Sequence, residues 1–199
     1  MNTRASHILL VVGAFVAGLV VFLGVILYAT GQLGAGHLPG VAAIGGPFRL
    51  VDQDGKPFTD ADLKGKPTLI FFGYTHCPDV CPTALLEMSQ VLHALGKDAD
   101  RATGLFITVD PERDTPDIIK SYLAYFDPHL RGATGTPEQI TAVEKEYRVY
   151  AKKHPLENGD YSMDHSAVVY LMDKNGRFVA PFNLKRPPKD AAAELRKYL

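Results

Sequence analysis

The chain has 199 residues, enough for one domain and an appendage, and its 21 Lys and Arg against 22 Asp and Glu leave it almost neutral. Proteins whose main partner is nucleic acid usually carry a basic stripe; the balanced charge argues against that class. There is no internal repeat and no low-complexity tract, and only two cysteines occur.

The first element is an uncharged run from Ile8 to Ala29, ILLVVGAFVAGLVVFLGVILYA. At about 1.5 Å per residue such a helix spans roughly 33 Å, enough for a hydrocarbon core of about 30 Å. A buried soluble helix is rarely apolar all round for so many turns. A cleavable signal peptide competes, but its apolar region is normally about 7–15 residues, shorter than this one. Arg4 and the α-amino group favour an N-terminus that stays inside, with the bulk of the chain exported. The expected layout is a short cytoplasmic tail over residues 1–7, a transmembrane anchor over 8–29, a linker over 30–43 and one soluble domain over 44–199. No Arg- and Ser-rich transit sequence is present, so the expected place is a bacterial inner membrane, crossed once, with the soluble domain in the periplasm. Gly31 to Gly40 is Gly-rich and flexible, and His37 within it reads as solvated.

Phe48 to Val51 predicts a strand and Asp54-Gly55 a turn. Thr68 to Phe72 is an apolar, β-rich run bounded by Pro67 and Gly73, a buried strand. Leu85, Met88, Leu92 and Leu95 share one helix face, which Gly96 stops. Leu105 to Val109 reads as a second buried strand. Thr115-Pro116 and Thr136-Pro137 are helix starts with proline at the first helical position. Ile118, Ile119, Tyr122, Leu123 and Phe126 follow the first, and Ile140, Val143 and Tyr147 the second. Ala167 to Met172 and Phe178 to Phe182 flank a Lys174-Asn175-Gly176 hairpin turn, and Asp190 to Leu199 closes with an amphipathic helix. This alternation predicts an α/β sheet with helices on both faces.

The chemistry lies in FFGYTHCPDVCPTAL, where a buried strand passes into a helix. Pro78 and Pro82 disfavour the α conformation for Cys77 and Cys81, so both sulfurs are expected on the loop before the helix. There the helix dipole favours thiolate. A structural disulfide is the bland alternative in an oxidising compartment, and the pair favours redox or metal chemistry over it. Two unrelated core cysteines are disfavoured, because the loop bears Pro and Asp rather than packing residues.

GYTHCPDVCPTAL, then ITVDPERDTP from Ile107 to Pro116, then DHSAVVYLMDKNGRF from Asp164 together resemble the Sco/SenC family of copper-binding proteins. The blocks come in family order and span nearly the whole soluble domain. The resemblance implies a thioredoxin-like fold, copper ligands Cys77, Cys81 and His165, and a role in maturing the binuclear copper centre of cytochrome c oxidase. It also implies that a copper donor and an acceptor such as oxidase subunit II are partners. Two thiolates and an imidazole suit Cu(I), and with a fourth donor Cu(II); zinc normally takes four protein ligands in a structural site. His165 is expected in a loop before the strand from Ala167, facing the cysteine loop across the sheet end.

The other side chains read more plainly. His76, His93, His129 and His154 are expected to be solvated or packed, and His7 to lie at the membrane edge. Asp79 is expected in solvent and Met88 in the core. Asp164 either orients a ligand or caps a turn. Asp110, Glu112, Arg113 and Asp114 form a docking surface or a solvated loop with an internal ion pair, and Lys152-Lys153 is a solvated face. A copper chaperone is one function class. A thiol–disulfide oxidoreductase using Cys77 and Cys81 as a redox pair is the other, although CxxxC departs from the usual CxxC. A peroxidase on a related fold is a weaker third. The balance favours a carrier over an enzyme.

Overall fold

The computed structural model describes residues 13–26, 28, 44–157 and 159–199. Two units, Met1–Ala42 and Ala43–Leu199, are distinct in their internal contacts. In the first, residues 13–26 form helix α1, with Phe15, Val20 and Phe22 exposed. Among the described residues no helix is long and apolar enough to cross a membrane. The expected span Ile8–Ala29 falls only partly on described residues, and the tail 1–7 and linker 30–43 fall outside them.

The second unit opens with the hairpin β1 (Arg49–Asp52) and β2 (Pro57–Thr59). Gly55, at φ 75°, makes the turn between them, as Asp54-Gly55 predicts. A 3-10 turn, Asp60–Leu63, leads to β3 (Thr68–Gly73), whose six residues are all buried. Helix α2 (Val80–Ala94) follows, then β4 (Thr103–Thr108), α3 (Pro116–Leu123), β5 (Leu130–Thr134) and α4 (Pro137–Tyr147). The chain continues through β6 (Ala151–Pro155), β7 (Tyr161–His165), β8 (Val169–Met172), β9 (Phe178–Pro181) and α5 (Pro188–Leu195). The predicted caps are present: Thr115 and Thr136 accept N–H bonds from Ile118 and Gln139, each ahead of a first-turn proline.

Seven strands form one sheet in the order β2-β1-β5-β4-β3-β8-β9, and β6-β7 form a separate ribbon. β3, β4 and β5 are parallel, joined by helical crossovers, while β8 runs antiparallel to β3 and pairs with β9. This mixed α/β arrangement, with a parallel βαβ unit beside an antiparallel hairpin, is the thioredoxin-like core expected from the sequence. Helices cover both faces. Tyr147 of α4 packs on Phe72 and Tyr170, while Tyr122 of α3 packs on Phe106. Since successive strand residues point to opposite faces, Phe71 and Phe72 bury into the two layers in turn.

Two side chains away from the cysteines hold protons more tightly than they would in water. Burial pushes the Glu144 carboxyl up to about 7. Asp127 and Asp100, at 2.6 and 3.1 Å from the His129 ring, hold that imidazole above its ordinary value. His129 thus ties together two turns and is not merely solvated. Both groups bind protons more tightly folded than unfolded, so both make stability fall as pH rises. The Glu144 share is lost between its ordinary value of 4.5 and about 7, and the His129 share above 6.5. The melting temperature of the chain should be lower at about pH 8.5 than at about pH 6. Glu144→Gln should stabilise the fold at alkaline pH by about 1 kcal/mol, after discounting for partial solvent screening, and raise the melting temperature there. An unchanged alkaline melting temperature in Glu144→Gln would contradict this account.

Candidate metal centre

The site forms where β3 runs out. β3 ends at Gly73, and a Cβ placed there would lie 2.8 Å from the Cys81 sulfur and 2.9 Å from Phe71. Only glycine lets the strand end sit this close to the sulfur. The loop then turns through Tyr74, Thr75 and His76 to Cys77, whose N–H donates to the Tyr74 carbonyl at 3.2 Å. α2 starts at Val80, so Cys81 lies in its first turn, and this corrects the expectation of a loop position. Pro82 is tolerated there because first-turn N–H groups have no intrahelical acceptor. Cys77 stays outside the helix, as Pro78 predicts.

His165 arrives from elsewhere in the chain. It is the last residue of β7, paired with Ala151 in the β6–β7 ribbon, and not part of a free loop before β8. Its Nε2 lies 3.4 Å from the Cys81 sulfur, and the Cys81 N–H donates to the Cys77 sulfur at 3.4 Å. One ligand atom from each of Cys77, Cys81 and His165 lies within 4.8 Å of the others. Both thiols are free, Cys81 fully buried and Cys77 half-buried. The imidazole stands edge-on to Phe71 and Tyr74, at 6.0 and 5.8 Å between ring centres. Its Nδ1 is 3.2 Å from the Ser166 carbonyl. With the proton on Nδ1 donated to that carbonyl, Nε2 presents its lone pair toward the sulfurs, the tautomer a ligand needs.

The electrostatics suit a cation. Burial lowers the His165 imidazole below its ordinary value and keeps it neutral. Burial also raises the Cys81 thiol far above the ordinary range, with the neighbouring Cys77 adding to the effect. Burial thus works against the thiolate expected at Cys81, and the Cys81 N–H at the helix start donates to the Cys77 sulfur. A soft cation replacing the thiol proton would neutralise the buried sulfur, and binding would release that proton.

The remaining side chains sort clearly. His76 leans on Thr75 at 3.1 Å and is about half exposed, at 51%. His93 is exposed on α2, and His154 pairs with Asp164 at 2.8 Å. Asp164 thus faces His154, and the imidazole of His165 is oriented by the Ser166 carbonyl. Asp79 is exposed and Met88 is core. Asp114 is fully buried and accepts from the Thr75 N–H at 3.0 Å, the Thr75 hydroxyl at 2.6 Å and the Thr108 hydroxyl at 2.6 Å. Lys153 pairs with Glu112 at 2.8 Å, so this lysine is not simply a solvated one. Sequence reasoning missed Phe71 and Tyr74 as walls of the imidazole and Asp114 as the anchor of the cysteine loop.

Comparison with known proteins agrees with this geometry. The SCO1/SenC family profile matches residues 37–199. The chain belongs to the SCO1/SenC family. Over 149 residues it is 42% identical to a SCO2-like protein of Rickettsia felis, covering 74% of this chain and 73% of that one. It is 46% identical over 143 residues to the mitochondrial protein SCO2 of Saccharomyces cerevisiae, spanning 70% of this chain but under half of that one, 48%. Among solved structures, Bradyrhizobium japonicum ScoI with copper bound is 66% identical, with a TM-score of 0.77, and covers 79% of this chain and all of that one. The SCO1/SenC match covers the three motifs and the whole thioredoxin-like unit.

Proposed function

We propose that this chain is a copper carrier that holds the metal on Cys77, Cys81 and His165 and helps assemble the binuclear copper centre of cytochrome c oxidase. The observation that carries the reading is the His165 Nε2, 3.4 Å from a fully buried cysteine sulfur and backed by a carbonyl at its other nitrogen. The copper-bound ScoI relative supports it. Thiolates select Cu(I), and imidazole accepts copper in either oxidation state. Three ligands leave a coordination position open, which suits a metal that is to be handed on. The acceptor is oxidase subunit II or another copper protein, and a donor protein supplies the ion.

A second reading is favoured by the two free thiols lying side by side. A membrane-bound thiol–disulfide oxidoreductase would use Cys77 and Cys81 to keep an acceptor's cysteines reduced, with one attacking and the other resolving the mixed disulfide. His165→Ala separates the readings. A reductase needs only the cysteines, whereas a carrier needs the imidazole for Cu(II). The variant should lose Cu(II) and its sulfur-to-copper absorption while still forming and reducing the Cys77–Cys81 disulfide. In cells at limiting copper it should impair oxidase activity, with partial rescue by added copper. Full oxidase assembly in His165→Ala, alongside failure in Cys77→Ser, would transfer the function to thiol exchange.

The uncharged run Ile8–Ala29 supports a single anchor in a bacterial inner membrane, with residues 44–199 in the periplasm. The full-length protein should remain with membranes after a carbonate wash. Recovery of a soluble mature form beginning near Gln32 would identify the run as a cleaved signal.

A further inference from the structure

His165 closes β7, and the β6–β7 ribbon is not hydrogen-bonded into the main sheet. The position of the imidazole therefore depends on what ties the ribbon to the cysteine side of the site. Besides the Tyr74 hydroxyl, which meets the Met163 backbone, and the His165 ring, which meets the Phe72 backbone, polar ties from the ribbon gather on one short segment, Asp110 to Asp114. Arg113 donates from Nε to Asp110 and from Nη1 to the Tyr161 carbonyl at 3.0 Å. Its guanidinium lies 3.7 Å from the centre of the Tyr161 ring, and the Tyr161 hydroxyl donates to Asp110 at 2.8 Å. Lys153 of β6 reaches Glu112 at 2.8 Å. The Asp110–Arg113 pair is largely dry, with the Asp110 side chain 1% and the Arg113 side chain 17% exposed, whereas the Lys153–Glu112 pair lies at the surface. Desolvated cation–π and charged hydrogen bonds are stronger than surface pairs.

The same segment reaches the other way. Asp114 holds the N–H and hydroxyl of Thr75, two residues before Cys77. One loop thus grips both halves of a ligand set that the chain brings from two separate elements.

We infer that Asp110–Asp114 is a clamp that fixes the distance between His165 and the two cysteines, with Arg113 and Tyr161 as positioning residues on the histidine side. None of these groups ligates. They act by holding β7, as outer partners of metal ligands do. The inference rests on the copper reading for one of its two readouts only.

Tyr161→Leu removes the ring and the hydroxyl while leaving the ligands and Asp114 in place. The first readout needs no metal. In the wild type the His165 ring protons should give NMR cross-peaks to Phe71 and Tyr74, against which the ring stands edge-on. In Tyr161→Leu these cross-peaks should vanish below the melting temperature. The second readout is Cu(II), which should bind roughly 10–100-fold more weakly with a shifted sulfur-to-copper band. The rate of Cys77–Cys81 disulfide formation should stay at the wild-type value, because Asp114 still holds that loop. Tyr161→Phe keeps the ring beneath Arg113 and should lie between the two. Unchanged cross-peaks in Tyr161→Leu would overturn the clamp, as would a disulfide rate that falls in step with copper affinity. If the wild type takes up no copper, the carrier reading fails and the cross-peaks alone decide the clamp. Should Tyr161→Leu not fold, Tyr161→Phe and Arg113→Lys are read in the same way, and wild-type cross-peaks in both would overturn it.

Discussion

Cys81→Ser should abolish tight Cu(I) binding. The substitution swaps a soft, polarisable donor for a hard hydroxyl that does not ionise in this pH range, and Cu(I) selects soft ligands. The loss should far exceed the roughly 10–100-fold that outer partners of a metal site cost. The fold should survive, because serine is no larger than cysteine and its hydroxyl inherits the His165 Nε2 as a partner at the position where the sulfur sits 3.4 Å away. The alternative outcome for a buried hydroxyl, an unpaired donor costing about 1–3 kcal/mol, is thereby avoided. Copper counted after competition with a Cu(I) chelator, beside a thermal melt, measures both effects. Cys77→Ser should lose copper as well, although its half-buried sulfur is more open to replacement by solvent donors. Near-wild-type affinity in Cys81→Ser would remove this sulfur from the ligand set.

Asp114→Ala should be the most damaging change outside the ligands. The carboxylate accepts three hydrogen bonds from Thr75 and Thr108 in a fully buried position. Hydrogen bonds to charged groups are worth about 1.5–3 kcal/mol, and orphaned buried donors add to the loss. Burial also raises the Asp114 carboxyl above its ordinary value, so desolvation offsets part of that gain. A net loss of about 3 kcal/mol, or roughly 6–12 °C in Tm for a unit of this size, is the expected result. The sign with pH follows from the raised carboxyl: the ionised form weighs against folding, so the wild-type advantage over Asp114→Ala should widen as pH falls through that value. Asp114→Asn keeps one acceptor and should lose less. A melt within 1–2 °C of wild type for Asp114→Ala would show that the threonines find other partners.

The sequence was most legible where burial and period coincide. β3, β4 and β8 are apolar runs, and α2, α3 and α4 show one buried stripe each, so the central sheet and its crossovers could be read directly. β6 and β7 escaped because AKKHP and YSMDH form a thin ribbon whose faces are exposed or only half-buried, leaving no alternation to detect. β5 was hidden by its central Gly132 and by Arg131, which turns out to pair with Asp52 at 3.1 Å. The pre-proline rule placed Cys77 correctly and Cys81 wrongly, since it disfavours a helical residue without forbidding one in a first turn. Cys77 and Cys81 announced themselves through spacing. His165 did not; its place beside them depends on a ribbon that local sequence does not reveal, and only the family resemblance singled it out from seven histidines.

Cys81 and His165 meet across 84 positions of chain. A metal bound to both would act as a removable crosslink closing a loop of that size. By the chain-entropy argument used for disulfides, such a closure restricts the unfolded ensemble by on the order of 4 kcal/mol. The unfolded chain offers no three-ligand site, because its third ligand is too distant to be held near the cysteines without a large entropic cost. Loading should therefore follow folding, and the loaded form should resist unfolding and proteolysis better than the empty one by a margin that grows with free metal. Loss of the ion would return the chain to its more easily opened state.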